Sequence, residues 1–219
     1  MKGFNIQQAS RYEQWFDTPF GRRTDRVERA ILGRLLEDYP GAGPVLEVGS
    51  GTGHFARWFA GMGFSAVGLD VSAAMLAVAR NLAPNVDALL GEAMHLPFAD
   101  SSFDLVAMIT SLEFIAQPEA ALKEAARVAR RGILLGVLNS ISPIAVWRRL
   151  RRSGKRGAYG HARFYSPYGL ERLVRRSLGT NAVALRWQTG LYPVPWLDGL
   201  TCLPFGAFVG MSVHLDKGG

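Results

Sequence analysis

The fold of this chain is decided by the stretch Val45-Leu46-Glu47-Val48-Gly49-Ser50-Gly51-Thr52-Gly53-His54-Phe55. Its apolar start predicts a buried β-strand, and three glycines at every second position then lead into a helical pattern. Glycine has no Cβ, so such a turn can bend tightly and let a ligand lie against the backbone. Because the following helix directs unpaired N–H groups at that ligand, the stretch predicts a nucleotide-type binding turn between a strand and a helix.

The spacing of the glycines separates this turn from two other nucleotide-binding motifs. A dinucleotide fingerprint, G-x-G-x-x-G/A, needs a small residue where His54 stands, and a P-loop needs a Gly-Lys-Ser/Thr ending that is absent. The remaining pattern, Glu-x-Gly-x-Gly-x-Gly, resembles motif I of the class I S-adenosylmethionine (SAM)-dependent methyltransferases. In that family the acid lies inside the first strand and the glycines contact the methionine part of SAM. The resemblance implies SAM contacts at Glu47, Gly49, Ser50, Gly51 and Gly53.

A carboxylate follows the second predicted strand, residues 65–69. Asp70 stands about twenty residues beyond the glycine turn, where an acid can accept hydrogen bonds from both ribose hydroxyls. Ser72 is the better N-cap for the next helix, which weakens the alternative that Asp70 only caps it. The run 67–76 resembles the second methyltransferase motif, and this implies cofactor contacts at Val71 and Met75. A plain core position for Met75 remains an alternative.

A longer resemblance covers Gly91-Glu92-Ala93-Met94-His95-Leu96-Pro97-Phe98-Ala99-Asp100-Ser101-Ser102-Phe103-Asp104-Leu105-Val106. It is similar to a signature of the ubiquinone/menaquinone-biosynthesis-like (type 11) methyltransferases. The family acid after the glycine accepts from the adenine amino group, and the next backbone N–H donates to the ring. The resemblance therefore implies cofactor contacts at Glu92, Ala93 and Met94, with Glu92 one methylene longer than the usual Asp.

The fourth predicted strand, Phe103–Ile109, leads to Thr110 and Ser111. Ligands of open α/β sheets lie beyond the carboxyl ends of the strands, so these two residues are expected to face the methionine end of SAM. Many relatives carry Leu-His-His at 112–114, whereas this chain has Leu-Glu-Phe. Glu113 is therefore a candidate general base or cation-binding group, and the alternative is that it faces solvent.

The segment before the glycine turn is expected to cover the cofactor. Residues 10–38 predict two helices broken near 18–21, and the first resembles the lid of small-molecule methyltransferases. We expect Tyr12 to contact the cofactor or acceptor, with Trp15 and Phe20 as weaker candidates, and the alternative is that these aromatic residues cover the core.

The basic character of the chain belongs to one segment. Seven of the 25 basic residues lie between Asn139 and Leu170, so the rest of the chain balances 18 basic against 18 acidic residues. Residues 143–152 predict an amphipathic helix, which suits peripheral membrane contact through 144–156. The basic region 148–163 equally suits a nucleic-acid backbone, an acidic small substrate or a solvated face. His161, inside this region, is the first candidate for a general base, and Tyr165, just after it, is another.

Length and composition indicate one α/β domain, residues 1–219. We divide it into an N-terminal helical lid (1–40), a SAM-binding core (41–138) and a substrate-side segment with closing strands (139–219). The resemblance implies a Rossmann-like, mostly parallel sheet of seven strands in the order 3-2-1-4-5-7-6. A single cysteine, Cys202, is expected to be a small buried residue, and the absence of a signal-like core indicates a cytoplasmic location. No cluster of ligating residues has metal-site spacing.

The sequence thus predicts an enzyme that moves a methyl group from SAM, leaving S-adenosylhomocysteine, to a small-molecule or lipid- or quinone-like acceptor. Three alternatives remain: a nucleic-acid methyltransferase, a non-catalytic SAM-binding protein and a nicotinamide oxidoreductase. The aromatic residues expected of a base-flipping pocket are not evident, which argues against a nucleic-acid methyltransferase. His54 in the glycine turn argues against a nicotinamide oxidoreductase. The acceptor atom and the oligomeric state are not indicated by the sequence.

Overall fold

A computed structural model describes residues 6–143, 145–146 and 162–216. Its centre is a seven-stranded sheet in the order β3-β2-β1-β4-β5-β7-β6, which confirms the predicted order. The strands are β1 (Val45–Val48), β2 (Ala66–Asp70), β3 (Asp87–Leu90), β4 (Phe103–Ile109), β5 (Ala129–Leu138), β6 (Ala182–Gly190) and β7 (Phe208–Leu215). β7 pairs antiparallel with both β5 and β6, while the first five strands pair in parallel.

Six α-helices lie wholly within the described residues and surround the sheet: α1 (Ile6–Trp15), α2 (Pro19–Leu36), α3 (His54–Gly61), α4 (Ala73–Leu82), α5 (Pro118–Val128) and α6 (Pro167–Leu178). The apolar faces of α2 and α3 pack on one side of the sheet, and those of α5 and α6 pack on the other. The central strand β4 is buried along its whole length because helices cover both of its faces. Within the described ranges, no helix has the length and apolar character needed to cross a bilayer.

Two expectations about local structure are wrong. The basic residues Arg127, Arg130 and Arg131 before Gly132 predict the last turn of a helix over 117–130. In the structure α5 ends at Val128, and Arg130 and Arg131 lie in β5, which begins at Ala129. Arg130 pairs there with Asp104 at 3.0 Å, and Arg131 donates to the carbonyl of Pro40 at 3.0 Å. Cys202 is exposed instead of buried, because it lies in the turn-rich loop between β6 and β7.

The basic segment is described only at its two ends. A helical turn begins after Ser142, whose Oγ accepts a hydrogen bond from the N–H of Ala145 at 3.1 Å. The remainder of the predicted helix at 143–152 lies outside the described residues, as does His161.

Candidate active site

The glycine turn presents bare backbone at the carboxyl edge of the sheet. Gly49, Gly51 and Gly53 have φ angles of +75°, +54° and +75°, a region that favours glycine. The N–H groups of Gly49 and Ser50 both donate to the carbonyl of Leu69, at 2.7 and 3.1 Å, which fixes the turn against β2. A Cβ built on Gly49 would overlap the Ser111 side chain, whereas one built on Gly51 would meet no atom within 4 Å. The backbone at Gly51 therefore borders open space.

Asp70 lies at the end of β2, directly beside that open backbone. Its Oδ2 accepts from the N–H of Gly51 at 2.8 Å, and its Oδ1 accepts from the N–H of Ser72 at 2.8 Å. Burial raises the pKa of Asp70, against the lowering effect of these hydrogen bonds. Each carboxylate oxygen has a second lone pair, so the group can still accept two hydroxyl donors.

The residues after Asp70 divide between surface and core. Ser72 is the N-cap of α4, as expected, and accepts from the N–H of Met75 at 3.4 Å. Val71 is 56% exposed, so it is free to contact a ligand at the edge of the sheet. Met75 is 5% exposed and packs inward, which favours the core alternative over an open contact surface.

The third motif continues the same edge of the sheet. Gly91 donates its N–H to the carbonyl of Asp70 at 3.0 Å, which holds the motif beside the proposed ribose acid. Glu92 is exposed and forms a bridge with His95 in a tight turn. Ala93 and Met94 are half-buried against the main core. The side chain of Glu92 is thus available at the surface where adenine is expected.

Glu47 is a buried carboxyl inside β1, with only 2% of its surface exposed. Burial raises its pKa to about 8, although the N–H of Ala56 donates to it. Its Oε2 has no partner among the residues that the structure describes. An orphaned buried oxygen is the kind of group that a ligand donor satisfies.

Thr110 and Ser111 form the opposite side of the turn. Thr110 has a φ of +47°, which is unusual for a β-branched residue and marks local strain after β4. Its N–H donates to the carbonyl of Gly136 at 2.7 Å. Ser111 is 9% exposed, and its Oγ donates to the carbonyl of Val48 at 2.9 Å. These two residues lie next to the glycines, as the sequence predicts.

The lid helix α1 is joined to the glycine turn through a residue that the sequence did not single out. Glu13 accepts a hydrogen bond from Thr52 Oγ1 at 2.5 Å and pairs with Arg57. Arg57 also donates to the carbonyl of Thr52 at 2.7 Å. Tyr12 is half-buried one residue away, and its ring contacts the edge of Phe16 at 5.6 Å. No motif marks Glu13 in the sequence, since a charged residue on an amphipathic helix normally faces water.

His54 stands where the dinucleotide fingerprint needs a small residue, and its side chain is held by contacts with other protein side chains. Its ring stacks on Phe16 with centroids 3.6 Å apart, and its Nε2 lies 2.6 Å from Asp25 Oδ1. Burial alone would raise the pKa of Asp25, but hydrogen bonds from His54 and Arg29 lower it overall. A cleft of about 620 Å³ adjoins this cluster, and neither Asp70 nor Ser111 lines it.

Two buried carboxyls, Glu113 and Glu28, lie at the same end of the sheet as Ser111. Glu113 is 1% exposed, so the alternative in which it faces solvent is wrong. Its Oε1 accepts from the N–H of Leu138 at 2.7 Å, and burial raises its pKa to about 7. Glu28, on α2, is 4% exposed, and its pKa is raised to about 8 by burial first and then by the negative charges of Asp25 and Glu113.

Sequence reasoning missed Glu28 because its neighbours in the chain suggest a solvated helix. It stands between Val27 and Arg29 in a helix with several arginines. The available signal was the spacing of Thr24, Glu28 and Leu32, which places all three on one face of α2. All three are buried.

Tyr165 approaches the same place from the far side of β5. Its N–H donates to the carbonyl of Leu138 at 3.1 Å, and the N–H of Arg163 donates to the carbonyl of Glu113 at 2.9 Å. Burial and the charge of Glu113 raise the pKa of Tyr165. Of the three candidate bases, the structure therefore brings Glu113 and Tyr165 together, and His161 lies outside the described residues.

Comparisons with known proteins agree with this geometry. Residues 46–136 match the family model of a methyltransferase domain. An uncharacterised protein of Mycobacterium tuberculosis is 36% identical over 180 residues, covering 81% of this chain and 60% of that protein. A demethylmenaquinone methyltransferase of Renibacterium salmoninarum is 41% identical over 102 residues, covering 45% of this chain and 43% of that enzyme. The chain thus spans at most about 60% of the length of these relatives.

Among the solved structures that match over nearly the whole chain is a SAM-dependent methyltransferase of Thermotoga maritima, described as a possible histamine N-methyltransferase. The two share 28% identity with a TM-score of 0.77, over 95% of this chain and 96% of that one. The geometry of the glycine turn, the position of Asp70 and the sheet order are features of this chain that do not depend on that likeness. Residues 46–136 therefore carry a methyltransferase domain, and over 95% of its length the chain is similar to a SAM-dependent methyltransferase.

Proposed function

We propose that this protein transfers the methyl group of SAM to a small-molecule acceptor of a lipid- or quinone-like class. The observation that carries the proposal is the pairing of Asp70 with the open backbone at Gly51, whose N–H donates to Asp70 Oδ2 at 2.8 Å. A carboxylate with spare lone pairs beside bare backbone fits a ribose and the amino-acid part of SAM.

The residues of the turn and its neighbours would hold SAM along the carboxyl edge of the sheet. Asp70 accepts the ribose hydroxyls, and Val71, Glu92, Ala93 and Met94 border the adenine. The methionine part lies between the glycine turn and the post-β4 residues, and the lid covers it. Tyr12 belongs to the lid, and Met75 stays in the core. The methionine end is formed by Glu47, Gly49, Ser50, Gly51, Gly53, Thr110 and Ser111.

The acceptor would approach from the side of α2 and the loop between β6 and β7. Arg23 joins these two elements, because it pairs with Asp198 at 2.9 Å and donates to the carbonyl of Tyr192 at 2.6 Å. Both elements carry exposed apolar side chains: Phe20 is 46% exposed and Trp196 is 78% exposed. Exposed aromatic residues at a site entrance favour an apolar acceptor.

The basic segment gives this proposal its membrane component. Residues 144–156 include Arg148, Arg149, Arg151 and Arg152, and the last described residue before them, Val146, is 43% exposed. Arginines next to apolar side chains favour the surface of an anionic bilayer. We infer peripheral contact there, within a single domain made of the lid, the core and the substrate-side segment. A cytoplasmic location is part of the same proposal and is tested by cell fractionation.

The test uses SAM labelled on its methyl group, the purified protein and a fractionated lysate of the source cell. Label in the organic extract supports the proposed acceptor class, and label in water-soluble small molecules replaces it with another metabolite. Label in RNA or DNA favours the nucleic-acid alternative. If SAM binds in a calorimeter but no fraction takes up label, the protein is a non-catalytic SAM binder.

Vesicle binding tests the membrane component separately. Neutralising the four arginines 148, 149, 151 and 152 to glutamine is expected to weaken co-sedimentation with phosphatidylglycerol vesicles by about tenfold or more, since each basic residue contributes about 1 kcal/mol near an anionic surface. SAM affinity should stay unchanged in this variant. Unaltered sedimentation of the variant would show that the segment is only a solvated face.

A further inference from the structure

Three buried polar atoms near the end of the SAM-binding edge have no partner among the described residues. They are Glu113 Oε2, Thr24 Oγ1 and the hydroxyl of Tyr165. Glu113 is 1% exposed and Thr24 is 5% exposed, so solvent does not satisfy them. Buried polar atoms are almost always paired in folded proteins, and three orphans in one region indicate a missing polar group.

Contacts along the backbone bring these atoms to one place. Leu138 connects two of their residues, because its N–H donates to Glu113 Oε1 at 2.7 Å and its carbonyl accepts from the N–H of Tyr165 at 3.1 Å. Thr24 lies one helical turn before Glu28 on the same face of α2, and Glu28 is close enough to Glu113 for the two charges to interact. The cluster therefore joins α2 to the ends of β4 and β5.

The cluster lies on the acceptor side of the SAM-binding turn. Glu113 is two residues beyond Ser111, which contacts Val48 and closes on Gly49. Glu113 lies within the short 3₁₀ turn Leu112–Phe114, which directly follows Ser111.

We propose that Glu28 and Glu113 act as one proton-accepting pair at the acceptor end of the site, and that the pair selects an acceptor whose nucleophile carries a hydrogen, as a hydroxyl or an amine does. This inference rests on the proposed methyl transfer. Two carboxyls buried together do not both ionise easily, so one keeps a proton while the other accepts one. The resulting buried negative charge repels an acceptor that enters as an anion and favours one that donates a hydrogen bond.

The step balances without any further reactant. The nucleophilic atom of the acceptor forms a bond to the methyl carbon, and the methyl–sulfur bond breaks with its electron pair passing to sulfur. The bond from the nucleophile to its hydrogen breaks, and that proton passes to the carboxylate of Glu113. Thr24 and Tyr165 supply hydrogen bonds that orient the acceptor, and Glu28 holds the second proton of the pair.

An infrared titration tests the pair without any acceptor. Protonated carboxyls absorb separately from carboxylates, so carboxyl absorption from Glu28 and Glu113 should persist above pH 6, together with that of Glu47. Glu113→Gln and Glu28→Gln should each remove a part of this absorption, while the exposed-site controls Glu119→Gln and Glu37→Gln should remove none. If Glu113 and Glu28 are both fully ionised at pH 6, the pair as proposed does not exist.

The transfer assay tests the role of the pair in the reaction. With the lysate fraction that takes up label as the acceptor source, Glu113→Gln should lower kcat at least 100-fold while SAM affinity in the calorimeter stays within twofold. Wild-type activity should rise through pH 7 as Glu113 loses its proton and fall above pH 8 as Glu28 loses its own. The variant Glu28→Gln should keep the rise and lose the fall. An active Glu113→Gln variant overturns this inference alone. A wild-type protein that binds SAM but labels nothing overturns the proposed function, and the infrared result then decides the pair.

Discussion

The hydroxyl of Thr52, in the middle of the glycine turn, donates a hydrogen bond of 2.5 Å to Oε2 of Glu13 in the lid helix. Thr52 is fully buried, and Arg57 completes the link by pairing with Glu13 and donating to the carbonyl of Thr52. The first helix is thus attached directly to the backbone that is proposed to hold SAM.

Breaking that link is expected to free the lid. Glu13→Ala removes a charge-assisted acceptor, and such hydrogen bonds contribute about 1.5–3 kcal/mol. We expect faster amide exchange in residues 6–17 and weaker SAM binding, with little change in the exchange of β4. Glu37→Ala, on the exposed end of α2, is the matched control. Unchanged exchange in 6–17 would show that other contacts hold α1 in place.

Alanine substitutions at two glycines of the turn are expected to affect different properties: Gly49→Ala mainly the stability of the fold, and Gly51→Ala mainly SAM affinity. Gly49→Ala places a methyl group against Ser111 at a φ of +75°, so it should lower the free energy of unfolding by about 2–4 kcal/mol. Gly51→Ala meets no protein atom and should cost only about 1 kcal/mol for its φ of +54°. Its methyl group would occupy the space proposed for SAM, however, so calorimetry should show a large loss of SAM affinity. Equal SAM affinity in Gly51→Ala and the wild type would contradict the proposed position of the ligand.

Replacement of Asp70 is expected to weaken SAM binding through the ribose. Asp70→Ala removes an acceptor for two hydroxyls and should lower SAM affinity by about 1.5–3 kcal/mol. Asp87→Ala, at an exposed position of the neighbouring strand β3, should leave affinity unchanged. Because Asp70 also fixes the N–H groups of Gly51 and Ser72, a thermal melt must accompany the titration. Full SAM affinity in a folded Asp70→Ala variant would refute the ribose contact.

Glu47 is expected to make stability fall as pH rises. Burial raises its pKa from the ordinary 4.5 to about 8, so between these values the folded protein binds a proton that the unfolded chain has already lost. The free energy of unfolding should therefore decrease from about pH 5 to pH 8. Glu47→Gln cannot ionise, so it should match the wild type near pH 5 and exceed it above pH 8, by on the order of 1–3 kcal/mol.

Chemical denaturation of the SAM-free protein at several pH values measures this effect. Glu28 and Glu113 have raised pKa values and contribute slopes of the same sign, so Glu47→Gln should reduce the slope without abolishing it. Parallel curves for Glu47→Gln and the wild type would mean that Glu47 titrates normally.

The sheet order could be predicted only through the family resemblance, whereas the parallel sheet and its carboxyl edge follow from local pattern. Alternating strands and helices indicate a parallel sheet, and the glycine turn and Asp70 each stand at the end of a strand. The boundary between α5 and β5 was harder to predict from the sequence. Arg130 and Arg131 resemble the basic last turn of a helix, but pairing of Phe103 with Ala129 draws both arginines into β5.

The polar interior of the site was the least predictable part. Glu13 and Glu28 are glutamates on amphipathic helices, where the helical pattern alone assigns a charge to the solvent side. The partial burial of Glu13 and the full burial of Glu28 depend on contacts with Thr52 and with the Glu113 region, which are distant in the chain. Glu113 itself was singled out only because the expected histidines are missing at 112–114.

The antiparallel strand β7 comes last among the described strands, yet it lies between β5 and β6 in the sheet. During synthesis on the ribosome, β6 leaves before the strand that must join it to the sheet. Until residues 208–215 have been made, β5 lacks its second strand neighbour and β6 has no native strand neighbour. The side of the sheet proposed to receive the acceptor is therefore completed late in synthesis. The turn at 49–53 can form its hydrogen bonds to Leu69 of β2 much earlier.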